Sequence, residues 1–280
     1  GAEIGAEVRE WLETITNEEF GLVDSMIKNF LDQSDLIELS NSLLRILRQL
    51  HDHIPQRVSP QMKRNKEFPK ALAKYITSHP VSDVSGDGFL LISEVFSTEG
   101  FSDVINESFT NSLFDGLDVI KDNQVFNAIV TILVLIENQG GLESENLVLR
   151  ACSQHPNARY FAETLLHLIN RGEEESMEDI LKCTLDVFSY KETSSGFFYT
   201  NDLKSFIDIL LRNVGNTSDQ VLRVLYLKIL RAIIFSPDFS KIRHRTFDMS
   251  ELFNEIIFNE ELDQESRDVA QNVLEQDLLQ

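Results

Sequence analysis

Apolar and polar positions separate most clearly between Phe197 and Phe235, where apolar residues recur every three or four positions. The apolar stripe of the first half consists of Leu203, Phe206, Ile207, Leu210 and Leu211. The second half, from Val221 onward, is almost entirely apolar, and a helix with so narrow a polar stripe must be covered by other helices on most sides. The pattern therefore predicts two helices, over residues 200–213 and 218–235, inside a larger helical body.

Short polar side chains precede both of these helices. Residues 200–202 read Thr-Asn-Asp and residues 217–219 read Thr-Ser-Asp, and Gly215 with Asn216 breaks the chain between the helices. Side-chain oxygens of Thr, Ser, Asn and Asp accept hydrogen bonds from the unpaired amides of a helix start. We therefore expect an N-terminal cap at both places.

Helical periodicity continues along most of the chain, without the alternation typical of strands. Further helices are predicted over residues 4–15, 18–32, 35–53, 67–78, 88–97, 101–114, 121–138, 143–153, 156–171, 176–190, 248–259 and 264–279. The short breaks between them have the length expected between stacked helices. We predict an all-α fold, an armadillo/HEAT-like helical-repeat solenoid, forming one domain over residues 1–280, with N-terminal helices in 1–80 and helical repeats in 81–280.

Charge is unevenly distributed along the chain. The formal net charge is −21, which disfavours nucleic acid or an anionic membrane surface as partner. Against this background residues 57–74 carry six basic side chains and one acid, and residues 241–245 form a second basic cluster. The longest apolar run, residues 128–136, is shorter than the ~18 to 20 residues of a membrane span. We expect a soluble, cytoplasmic protein with local basic contact points.

Motifs that would indicate catalysis are missing from the sequence. There is no nucleophile elbow, no Gly-rich phosphate loop, no HExxH and no zinc-ligand spacing. Cys152 and Cys183 each lie in an apolar helical pattern, which favours reduced, buried thiols. We therefore expect neither an enzyme nor a bound cofactor.

One segment resembles a calcium-binding loop. Asp83, Ser85, Asp87 and Glu94 fall at ligand positions 1, 3, 5 and 12, and a Gly stands at position 6. Pro80 and the apolar residue at position 9 argue against such a loop, so a capped Gly turn leading into a helix is the favoured interpretation. Calcium binding stays open as an alternative.

The residues FFYTNDLKSFIDILLRNV, followed by VLRVLYLKIL, resemble the helical domain of the WISH/DIP/SPIN family, which includes fungal Dip and yeast Ldb proteins. Members of that family activate the actin-related protein 2/3 complex. The resemblance implies an armadillo-like protein at cortical actin patches that binds this complex and starts linear filaments, able to seed branched networks, without a preformed filament. Promoters of the WASP type use flexible acidic tails with a terminal Trp, whereas the only Trp here is Trp11. A folded contact surface is therefore expected.

We expect the partner surface to involve the helices of residues 200–235 and the basic cluster that follows them. The candidate contact residues are Phe197, Tyr199, Asn201, Lys204, Arg223, Lys228, Arg231, Lys241, Arg243 and Arg245. The polar residues of the FYTNDLK motif could instead serve only to cap a helix. As an alternative function, a helical-repeat adaptor could hold an unrelated peptide in its groove.

Overall fold

The computed structural model describes residues 10, 12–14, 16, 21–32, 36–80, 85–96, 104–119, 122–140, 146–172, 176–190, 192–193, 196–276 and 278–279. In this part of the chain the helices with both ends described are α1 (Leu22–Asp32), α2 (Ile37–His53), α3 (Pro55–Arg64), α4 (Glu67–Ser78), α5 (Ser85–Val95), α6 (Glu107–Val119), α7 (Asn123–Gly140), α8 (Leu147–Gln154), α9 (Ala158–Arg171), α10 (Met177–Ser189), α11 (Thr200–Asn216), α12 (Gln220–Phe235), α13 (Phe239–Ile242), α14 (Thr246–Phe258) and α15 (Gln264–Glu275). No strand occurs among these residues, and the predicted all-α helical-repeat class is confirmed.

Two compact units divide the chain, residues 1–133 and residues 134–280. The division falls within α7. The expectation of one domain subdivided at residue 80 stays a prediction. The predicted helix over residues 4–15 lies largely outside the described residues, as does Trp11.

In the first unit, α1 packs against α2, α3 and α4, while α5 packs against α2, α3 and α4 in turn. Phe30 of α1 is fully buried and meets Phe68 edge-on at 5.7 Å between ring centroids, and Tyr75 at 5.8 Å. Edge-to-face contacts at this distance stabilise aromatic pairs beyond the area they bury. The aromatic cluster therefore ties α1 to α4.

Helix α3 is absent from the sequence prediction, which assigns no helix to residues 54–66. Its prolines, Pro55 at the first position and Pro60 inside, and its basic residues conceal the helical pattern. Pro is compatible with the first turn of a helix because the amide it lacks has no partner there. The buried residues Val58, Gln61 and Met62 nevertheless follow helical spacing. The basic segment 57–74 therefore lies on two helices, α3 and α4.

The second unit is built from alternating helices. Helices α8, α10, α12 and α15 contact one another in succession, and α9 contacts α11 beside them. Contacts that link alternate helices in this way are how helical repeats bury a continuous core. Helix α14 packs on α15, and α13 on α12. None of the described helices is long and apolar enough to cross a lipid bilayer.

Candidate protein interface on the second unit

The segment before α11 is anchored in the core by two phenylalanines. Phe198 stacks against Phe188 at 5.4 Å and against Phe206 at 5.2 Å between ring centroids. Phe197 is 9% exposed and meets Phe161 edge-on at 6.5 Å. Phe197, proposed from the sequence as a partner contact, therefore contributes to the core instead, because burial removes its ring from the surface.

Tyr199 is the exposed aromatic residue of this segment, with 53% of its surface accessible. Arg159 of α9 donates a hydrogen bond to Tyr199 Oη, and its guanidinium carbon lies 5.5 Å from the ring centroid. A guanidinium over an aromatic ring is held by the ring's negative face. Asn201 is exposed and Lys204 half-buried in the first turns of α11. These predicted contact residues thus lie at one end of α11.

Helix α12 begins at the predicted cap. Asp219 Oδ1 accepts hydrogen bonds from the backbone amides of Val221 at 2.8 Å and Leu222 at 3.1 Å. Two amides that have no partner within the helix are satisfied in this way. The cap predicted for α11 is wrong, because its N-cap residue is Tyr199 and no side chain accepts a hydrogen bond there.

The three cations of α12 have different surroundings. Arg223 donates to a backbone carbonyl of the preceding loop at 2.5 Å. Lys228 Nζ lies 2.6 Å from Glu265 Oε1 on α15. Arg231 is exposed, and its guanidinium carbon lies 5.8 Å from the ring centroid of Phe235. Of the three, Arg231 presents its charge most openly to solvent.

A groove of about 390 Å³ opens beside Arg231. Its lining includes Leu185, Phe188 and Ser189 of α10 and Lys228, Arg231 and Phe235 of α12. Both charged residues of the lining are cations, and the aromatic side chains supply an apolar surface. Such a groove matches a partner segment that carries acidic and apolar side chains, because complementary charge and shape favour binding.

The basic cluster of residues 241–245, at the end of α13 and in the loop that follows, is held by acidic residues of the same unit. Lys241 Nζ lies 2.8 Å from Asp238 Oδ1. His244 Nε2 and Arg245 Nη1 both approach Asp208 Oδ1 of α11, at 3.0 and 3.3 Å. Asp238 also accepts the backbone amide of residue 196 at 2.7 Å. Ion pairs therefore fix this loop against α11, and the hydrogen bond of Asp238 fixes it against the segment before α11.

Arg243 lies between these ion pairs and is exposed. Its backbone has φ 40°, and that of Arg245 has φ 55°, both in the left-handed region that residues other than Gly rarely adopt. Among the described residues no carboxylate lies within ion-pair distance of Lys204, Arg231 or Arg243. These three are the predicted contact cations that keep their charge available to a partner.

The calcium-loop alternative does not fit the described residues. Ser85, Asp87 and Glu94 belong to one helix, α5, while Asp83 lies outside the described residues. A calcium loop turns sharply at its Gly, whereas Gly88 lies inside α5, where a Cβ would come within 3.2 Å of Ile76 Cγ1. The favoured Gly turn is wrong for the same reason, since Gly88 allows close packing of α5 on α4. Asp87 Oδ2 lies 3.9 Å from Arg45 Nε.

Sequence reasoning missed a buried carboxyl group in the second unit. Glu137 of α7 is fully buried, and burial together with the nearby charge of Asp186 raises its pKa to about 8. Burial also raises the pKa of the buried, free Cys183 and Cys152 thiols well above their usual range. In the described residues no group of three or more His, Cys, Asp or Glu side chains is placed so that it could hold a metal ion. The only sequence signal was an acid directly after the apolar run 128–136.

Curated fungal proteins are similar to this chain. Protein LDB17 of Eremothecium gossypii is 28% identical over 156 residues, which cover 54% of this chain and 32% of that protein. Protein LDB17 of Saccharomyces cerevisiae is 27% identical over 159 residues, with 55% and 30% covered. Protein dip1 of Schizosaccharomyces pombe is 30% identical over 172 residues, with 59% and 42% covered. The match thus spans less than half the length of each of these relatives.

A family model described as the SPIN90/Ldb17 leucine-rich domain matches residues 106–249. This region is slightly more than half of the chain, and it contains α11, α12 and the basic cluster of residues 241–245. The resemblance stated from residues 197–230 is thereby confirmed over a longer stretch. The chain belongs to the SPIN90/Ldb17 family.

Proposed function

We propose that this chain binds the actin-related protein 2/3 complex and favours its active arrangement, so that linear actin filaments start without a preformed filament and can seed branched networks. The observation that carries the proposal is the family match over residues 106–249, which contains the exposed cationic surface of α12 and the following loop. In cells the same activity would place the chain at cortical actin patches. The role is one of binding, without catalysis or a cofactor.

Activation by binding requires differential affinity. A ligand shifts a two-state equilibrium only by the difference between its affinities for the two states. A folded surface that contacts two subunits of the complex can discriminate between their arrangements, because their relative position differs between inactive and active states. A unit whose helices share one continuous core can hold such contacts at fixed spacing.

Arg231 and Arg243 are the residues best suited to test the surface. Both are exposed, and neither has a carboxylate within ion-pair distance among the described residues. Arg245 is a poorer probe, because its replacement by Glu would put a third acid beside Asp208 and Asp248. Reversal of charge at 231 and 243 therefore changes the surface with little effect on the fold.

The test is polymerisation of pyrene-labelled actin with the purified complex, without a WASP-type promoter and without added filaments. We expect the chain to shorten the lag in a way that depends on the complex. The double variant Arg231→Glu/Arg243→Glu should lengthen the lag again. Lys28→Glu/Arg45→Glu, with the same change in charge on exposed positions of the first unit outside the basic segment 57–74, serves as the control and should leave the lag short.

The adaptor alternative predicts a different result. A helical-repeat adaptor would leave the lag unchanged at every concentration of the chain, while its groove would still bind a peptide. An unchanged lag with the unaltered chain would therefore overturn the proposed activation. The groove beside Arg231 would then become the first place to look for a bound peptide.

A further inference from the structure

Two phenylalanines stand exposed on the outer face of α14. Phe247 is 71% accessible and Phe258 is 80% accessible, the highest values among the exposed large hydrophobic residues described. The opposite face of the helix is buried through Met249, Phe253 and Ile256. The two exposed rings therefore make no contribution to the core, although each offers a large apolar surface.

The two rings share one face of the helix. They are eleven residues apart, close to three full turns, so both project in nearly the same direction about 16 Å apart along the axis. Residues Glu251 and Asn254 lie between them on the same face and are exposed. This arrangement is that of two apolar anchors on one helix, the form in which a helix occupies a groove on a partner.

Acidic residues lie between the two rings and after Phe258, whereas the basic cluster of residues 241–245 precedes Phe247. Glu251 and Glu255 are exposed four residues apart, where like charges repel, and among the described residues no cation lies within ion-pair distance of either. Glu260 and Glu261 follow the helix and are also exposed. Exposed rings mark a surface that a partner can cover, and unpaired acids beside them select a partner of opposite charge.

We propose that this α14 stripe, formed by Phe247, Glu251, Glu255 and Phe258, docks into an apolar groove with basic edges on the actin-related protein 2/3 complex. The inference rests on the proposed function and adds a second contact of opposite charge to the cationic surface of α12 and the 241–245 loop. Charge decides the occupant: the acids repel a second copy of this stripe, and they match a basic rim. Phe258 lies beyond residues 106–249, so the stripe is not contained in the family match.

A binding titration tests the inference. The purified complex is titrated with fluorescently labelled chain at low and at high ionic strength. Phe247→Ala/Phe258→Ala should raise the dissociation constant by about 30-fold or more, as expected for two aromatic anchors that become buried on binding. Glu251→Lys/Glu255→Lys should weaken it at low salt by about tenfold and by less at high salt, because salt screens exposed charges. Both variants should keep the melting temperature of the unaltered chain.

The matched control is Leu39→Ala/Ile46→Ala, which removes two large apolar side chains of the first unit that are 38% and 46% exposed. This control should bind the complex like the unaltered chain. If Arg231→Glu/Arg243→Glu loses binding but the α14 variants do not, the docking of the α14 stripe is overturned and the proposed function stays intact. No binding by the unaltered chain would overturn both. Sedimentation that shows a dimer abolished by Phe247→Ala/Phe258→Ala would assign the stripe to a second copy and also overturn it.

Discussion

The side-chain amide of Asn146 donates hydrogen bonds both to the backbone carbonyl of Glu137, at 3.1 Å, and to its carboxyl Oε1, at 3.3 Å. The Oδ1 atom of the same Asn146 caps α8 by accepting the amides of Val148 and Leu149. One buried side chain thus joins the end of α7 to the start of α8. The protonation state of Glu137 therefore bears on the stability of the second unit.

Stability is expected to fall as pH rises from about 4.5 to about 8. The folded chain keeps the proton of Glu137 up to about pH 8, whereas the unfolded chain releases it near the ordinary value of 4.5. Because the folded state binds more protons in this window, each pH unit lowers the free energy of unfolding by up to about 1.4 kcal/mol. Burial also raises the pKa of Asp186, which adds a contribution of the same sign.

Urea denaturation at pH 5, 6.5 and 8 measures this slope. Glu137→Gln removes the titrating group and keeps an oxygen for Asn146, so its slope should be clearly smaller than that of the unaltered chain. Glu163→Gln, an exposed position on α9, is the control and should leave the slope as it is. Equal slopes in all three proteins would show that Glu137 is ionised in the folded chain.

Two glycines of helices should respond to alanine in opposite directions. A Cβ at Gly116 would lie 3.0 Å from Ile129 Cδ1 and from the Phe89 ring, whereas a Cβ at Gly215 would meet nothing within 4 Å. Gly116→Ala should therefore destabilise by about 1 to 3 kcal/mol through overpacking. Gly215→Ala should stabilise by about 0.5 to 1 kcal/mol, because Ala favours the helix. Thermal denaturation of both variants measures the contrast, and a loss of stability in both would contradict it.

The aromatic stack before α11 is expected to carry much of the stability of the second unit. Phe206 is fully buried and stacks on Phe198 and Phe188. Phe206→Ala should lower the free energy of unfolding by about 3 to 5 kcal/mol, because a cavity remains where the ring was. Phe247→Ala removes an equally large but exposed ring and should change stability by no more than about 0.5 kcal/mol. Chemical denaturation gives both values, and similar losses would refute the assignment of Phe247 to the surface.

A charge swap separates two roles of Lys228. This residue lines the groove of α12 and is also paired with Glu265 of α15. Lys228→Glu should cost less than about 1 kcal/mol of stability, since both side chains are partly exposed and screened. Lys228→Glu/Glu265→Lys should restore that stability but still lengthen the lag in the actin assay, because the groove has lost its cation. A swap that restores activation would show that Lys228 acts only through Glu265.

The sequence was sufficient to predict the helices whose apolar stripe is regular. The predicted bounds of α4 agree with the observed ones. The predicted end of α12 and its Asp219 cap are also correct, because a helix end and a cap are determined by residues close by in the sequence. Pro60 and the low hydropathy of α3 hide its helical pattern, so the sequence does not predict this helix. Its buried face includes the polar Gln61, whose side-chain amide donates hydrogen bonds to the backbone carbonyls of Thr16 and Arg57. Local pattern cannot show such a partner 45 residues away.

The candidate interface was harder to predict residue by residue. Sequence places the basic cluster correctly but cannot show that Asp208, 37 residues before Arg245, neutralises part of it. The sequence also does not distinguish the buried Phe197 from the exposed Tyr199 two positions later. Both precede the helix, and only the packing of the surrounding helices decides which ring is buried. Exposed rings on α14 went unnoticed, since a Phe at helical spacing is normally a core residue.

The left-handed backbone at Arg243 sets stability and partner contact against each other. That conformation costs a residue with a Cβ roughly 1 to 2 kcal/mol, a cost that Gly does not have. Selection for thermal resistance alone would favour Gly at position 243, and Gly would remove the one guanidinium of the loop that lacks a carboxylate partner among the described residues. Libraries of heat-resistant variants of this chain should accordingly be enriched in proteins that bind the partner more weakly.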